Sequence, residues 1–155
     1  MRKGTLIYSV VLIFILASLV AFSPAGAETI IGSAKFDPNR IDLDLPDPSV
    51  VKADIRWKSD ASEYTVKDIN ASTVLLEGSL PPDTTYLIPG ALVAEFDGTG
   101  VVNILWGKIT HMGALAPPYK IWLTITGNLV DTAGGTPFSA EGYIKIEVPH
   151  SPPPP

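Results

Sequence analysis

Apolar residues in this chain alternate over short runs, and clusters of Pro, Gly, Asp and Ser separate the runs. That pattern limits the fold more than any other feature of the sequence. Ile41, Leu43 and Leu45 alternate with Arg40, Asp42 and Asp44. Val51, Ala53, Ile55 and Trp57 alternate with Lys52, Asp54, Arg56 and Lys58. A period of two puts one side of each run in a core and the other in water, the pattern of half-buried strands. The link Leu45-Pro46-Asp47-Pro48 divides the two runs, because proline cannot donate to a ladder. Further strands are expected near 74–78, 84–88, 91–97, 101–106, 119–130 and 139–148. A set of about eight or nine short strands predicts an all-β sandwich.

Two hairpins follow from matching faces. A three-residue turn at 98–100, with Gly100 in the left-handed position, would set Phe96 against Val102, Ala94 against Ile104 and Leu92 against Trp106. A second turn around 131–136 would set Ile121 against Val148, Leu123 against Ile146 and Ile125 against Ile144. Its outer face would then pair Trp122 with Glu147, Thr124 with Lys145 and Thr126 with Tyr143. A slip of one residue would exchange core and solvent faces, so the agreement within each face carries information.

The N-terminus reads as an export leader. Arg2 and Lys3 precede an apolar run over 6–22, and Pro24 and the small residues Ala25-Gly26-Ala27 follow it. Cleavage after residue 27 is expected, so the signal peptide helix spans 1–27, the domain 28–148 and a Pro-rich tail 149–155. The tail is expected to extend as polyproline II. Loss of Arg2 and Lys3 moves the net charge from −5 to −7. Such acidity argues against nucleic acid and anionic membrane surfaces, which require basic patches. With no cysteine, thiol catalysis and thiolate metal sites are excluded. A secreted or cell-surface location is expected, with no membrane attachment once the leader is removed.

The stretch VKDINASTVLLEG at 66–78 resembles the "VxDIxxSTVxLxG" segment of a repeat in secreted archaeal and bacterial surface proteins. FDPN at 36–39, leading to Ile41-Asp42-Leu43, is similar to that repeat's opening. LTITG at 123–127, GTPFSA at 135–140 and IKI at 144–146 are similar to its end. The resemblance covers about residues 34–148. It implies an immunoglobulin-like β-sandwich, one module among several in exported proteins and sometimes beside dockerin or calcium-binding modules, with no catalytic activity. Relatives carry clustered aspartates at a central hairpin; here Asp97 remains, with Glu95 and Asn103 nearby, as the candidate calcium ligand.

Few residues suggest chemistry. The two histidines are His111, next to Met112 between expected strands, and His150 in the tail, and neither has a placed ligand set around it. The acids alternate with apolar strand residues or sit in turns, as solvated side chains do. No enzyme and no cofactor are therefore expected. Of the three tryptophans, Trp57 and Trp106 run in phase with core residues, whereas Trp122 runs out of phase beside Lys120 and Thr124. Trp122 and Tyr143 would share the outer face, an aromatic strip suited to stacking on sugars. Asn70-Ala71-Ser72 is an N-glycosylation sequon. The expected function is a non-catalytic surface module for structure or adhesion, with other envelope proteins or glycans as partners. Two alternatives are a carbohydrate-binding module using Trp122 and Tyr143, and a filament subunit that donates a strand from 28–36.

Overall fold

The computed structural model describes residues 29–43, 45–57, 64–112, 119–130, 132 and 135–147. The expected leader over 1–27 and the Pro-rich tail over 149–155 lie outside these residues. The described chain is mostly β: β1 (Ile30–Asp37), β2 (Arg40–Asp42), β3 (Val50–Trp57), β4 (Leu75–Leu76), β5 (Thr84–Ile88), β6 (Ala91–Asp97), β7 (Tyr119–Asn128) and β8 (Pro137–Glu147). One helix, α1 (Gly98–Met112), and two single 3-10 turns at Val66–Asp68 and Ala71–Thr73 complete it. No helix among the described residues is long and apolar enough to cross a membrane.

The strands form one mixed sheet in the order β4-β7-β8-β1-β3-β6-β5, with β2 also on β8. β1 lies at its centre, parallel to β8 and antiparallel to β3. The sheet curls: α1 touches β3 and β6 on one wing and β7 on the other. One apolar cluster runs through both wings, from Ala53, Ile55 and Phe96 to Ile121, Leu123 and Ile144. Polar residues at alternate positions face outward, as at Lys52, Asp54 and Arg56 of β3.

The expected strand over 101–106 is a helix instead. Val101, Val102 and Leu105 are buried, with Ile109 packed against the core, the i, i+1, i+4, i+8 spacing of a helical face. Asp97 starts the helix: its carboxylate accepts the Gly100 N–H at 2.8 Å, the bond of an N-cap to the third helical residue. Gly98, Gly100 and Gly107 all weaken helix formation relative to Ala, so packing against both wings has to hold α1 in place. Trp106, expected in the core, is instead 45% exposed. Asp97→Ala should cost about 1 kcal/mol, measured by urea denaturation, and Asp97→Asn should recover most of it.

The β7–β8 pairing differs from the expected one by four residues. Ile121 opposes Ile144, Trp122 opposes Tyr143, Leu123 opposes Gly142 and Thr124 opposes Glu141. An even slip keeps every side chain on its face, so matching faces could not detect it. The segment 28–36, the alternative's candidate for strand donation, falls largely in β1, and strands occupy both edges of β1.

Candidate functional site

The outer face of β7, β8 and β2 carries the most distinctive surface chemistry. Strand alternation turns Ile121, Leu123 and Ile125 into the core, leaving Lys120, Trp122 and Thr124 on the other side. β8 likewise buries Ile144 and Ile146 and leaves Glu141, Tyr143 and Lys145 outside. The register sets Trp122 directly beside Tyr143, with ring centroids 5.3 Å apart at 64°. This is the edge-to-face geometry aromatic pairs favour. Trp122 is 57% exposed, and Lys120 Nζ lies 4.7 Å from the Tyr143 ring centroid, within cation–π range. The pair presents an apolar surface with a polar rim.

The next row along these strands is cationic. Lys120 opposes Lys145 across β7–β8, and Arg40 opposes Lys145 across β2–β8. Arg40 reaches Glu147 at 3.0 Å. None of the ion pairs among the described residues uses Lys120 or Lys145. On the other side of the aromatic pair, Thr124, Glu141 and Ser33 form a polar row.

Glu77 braces this face from the edge of the sheet. β4 pairs with β7 only at Ile125 and Thr126, and Glu77 extends the contact beyond that two-residue strand. Its N–H donates to the Thr124 carbonyl at 2.8 Å, and its Oε1 accepts the Thr124 N–H at 2.7 Å. Its Oε2 meets Lys108 of α1 at 2.8 Å. Glu77 takes φ of 51° to do this, a left-handed conformation rare outside glycine. The sequence carried no signal for this role.

A second polar network lies on the other wing. Lys52 and Glu95 face each other across β3–β6 and pair at 2.8 Å, and Tyr86 donates its hydroxyl to Glu95 at 3.2 Å. The hydrogen bond from Lys52 holds the Glu95 carboxyl below its ordinary range, and the same bond raises Lys52. Its charges pair with each other, whereas no ion pair among the described residues uses Lys120 or Lys145.

The remaining candidates occupy separate places. Asp97 uses its carboxylate as a helix cap, and no group of three or more metal-binding side chains occurs among the described residues. Asn70 is half-buried and caps the Ala71–Thr73 turn, its Oδ1 accepting the Ser72 hydroxyl at 2.7 Å. His111 sits in the last turn of α1, where Nδ1 donates to the Gly107 carbonyl at 2.6 Å, and not in a loop between strands. His150 lies outside the described residues. Trp57 faces inward, edge-on to Phe138 at 5.4 Å.

Comparison of the chain with protein families, curated proteins and solved structures finds no match. The fold and this face therefore define the protein only as a β-rich domain with an aromatic and cationic outer surface.

Proposed function

We propose that this chain is a non-catalytic module, exported and displayed at the cell surface, whose β7–β8 outer face makes an adhesive contact. The contact of exposed Trp122 with half-buried Tyr143 carries the reading, since both rings stand on a braced sheet and Trp122 is mostly in water. Large exposed aromatics are the usual anchors of binding surfaces. Export rests on the leader pattern of residues 1–27. The non-catalytic part rests on the sequence, whose acids alternate with apolar strand residues or sit in turns and whose histidines have no placed ligand set around them.

An immunoglobulin-like sandwich is the finer reading of the fold. It is supported by two wings, β4-β7-β8 and β3-β6-β5, that curl around one core, and by the family-like segments at 66–78 and 135–146. α1 stands where the resemblance implies a central hairpin, a departure from that reading. Strand donation from 28–36 has less support, because β1 is already enclosed by β3 and β8.

Carbohydrate is the contact this surface suits best, since sugar C–H faces stack on an aromatic plane. The test is retention of the purified protein on a panel of immobilised polysaccharides. Wild type is expected to be retained on a subset of the panel, and Trp122→Ala to lose at least ten-fold in affinity. Equal retention of wild type and variant would overturn the assignment of this face. Trp106→Ala is the matched control, because Trp106 is also exposed but lies on α1.

A further inference from the structure

The cationic row beside the aromatic pair identifies a chemical class of ligand. Three positively charged residues, Lys120, Lys145 and Arg40, stand side by side on β7, β8 and β2. Like charges directly opposite each other destabilise a sheet. The chain as a whole carries −5, so such a row runs against its average character. Glu147 answers Arg40, while no ion pair among the described residues answers Lys120 or Lys145.

We infer that the Trp122–Tyr143 face binds an acidic polysaccharide, with one sugar stacked on Trp122 and the carboxylate or sulfate of its neighbour held by Lys120 and Lys145. The inference rests on the aromatic face being a contact surface, as proposed above. Residues two apart on a strand are separated by about 6.6 Å, so the ring and the cations are spaced on the scale of one monosaccharide. Lys120 already reaches back over Tyr143, which joins the apolar and charged parts into one surface.

The pattern of charge favours a polysaccharide over a nucleic acid. Duplex DNA carries one negative charge per roughly 1.7 Å of axis and needs a long basic track. Here there is a single cationic row. Asp42 and Glu147 bound it on one side, and Glu141 stands beyond the aromatic row on the other. A polymer charged once per sugar can set one anion on the row and keep the others clear of these acids.

Affinity electrophoresis of the intact protein through gels containing polygalacturonate, dextran sulfate or neutral dextran tests this. Retardation by either acidic polymer is expected, weakened by salt and absent with dextran. The double variant Lys120→Gln/Lys145→Gln and the single variant Trp122→Ala should each lose at least ten-fold in apparent affinity, and Trp106→Ala should match wild type. Binding to neutral dextran that survives in the lysine variant would overturn the acidic ligand while leaving a glycan-binding face. Retardation that survives Trp122→Ala, or equal retardation by duplex DNA, would mean charge attraction alone and overturn the assignment. No retardation by any polymer would overturn both this inference and the carbohydrate reading beneath it. Circular dichroism of each variant checks that it is folded.

Discussion

Leu105→Ala will lower the free energy of unfolding by about 3 kcal/mol, while Trp106→Ala will change it by about 1 kcal/mol at most. Leu105 has no exposed surface and points from α1 into the space between the wings. Removing its isobutyl group deletes contacts on several sides and leaves a cavity that the curled sheet can close only in part. Trp106, although far larger, is 45% exposed and packs on one side only. A strand over 101–106 would reverse this order, because Trp106 would then face the core and Leu105 the solvent. Urea denaturation of the two variants decides the matter, and a larger loss in Trp106→Ala would refute the helix.

Gly142→Ala is the second large effect, expected to cost about 3 kcal/mol. Gly142 is buried on β8 opposite Leu123, where β1 comes close. A methyl group there would land on the carbonyl of Ala34 and lie 3.0 Å from the Phe36 ring. Phe36 is almost wholly buried and has little room to turn aside, and the Ala34 carbonyl belongs to the backbone. Relief therefore requires β1 to move away from β8, at the centre of the sheet, so hydrogen exchange should quicken along β1 as stability falls. Gly107→Ala is a control of opposite sign. Its methyl would meet nothing within 4 Å, and in a helix it should stabilise the domain by about 0.5–1 kcal/mol. Equal effects from both glycines would show that the β1–β8 approach is not tight.

Alternation identified most strands because it depends on residues next to one another. β5 and β6 appear over the segments expected from the sequence, which Pro and Gly bound, and β3 over Val50–Trp57, whose residues alternate with a period of two. The outward placement of Trp122 came from the same arithmetic: its neighbours Ile121 and Leu123 left it only one face. The run 101–106 failed that test because its apolar residues satisfy two periods at once. Val102, Ile104 and Trp106 suit a strand, whereas Val101, Val102 and Leu105 suit a helix. Asp97 as a cap and the two facing wings choose the second, and the wings exist only after distant strands have paired.

The candidate site divides in the same way. That Trp122 and Tyr143 share a face was determined by local sequence; that they touch was not. Their contact depends on a register four residues from the one matching faces suggested, and an even slip is invisible to alternation. The same register brings Lys145 beside Lys120, and the parallel pairing of β2 brings Arg40 from more than a hundred residues away in sequence. Short-range periodicity thus determined most of the strands and the outward direction of Trp122, but not the helix at Gly98–Met112 or the exposure of Trp106. Tertiary structure decided which side chains become neighbours, because register and strand order are set by long-range pairing and core packing.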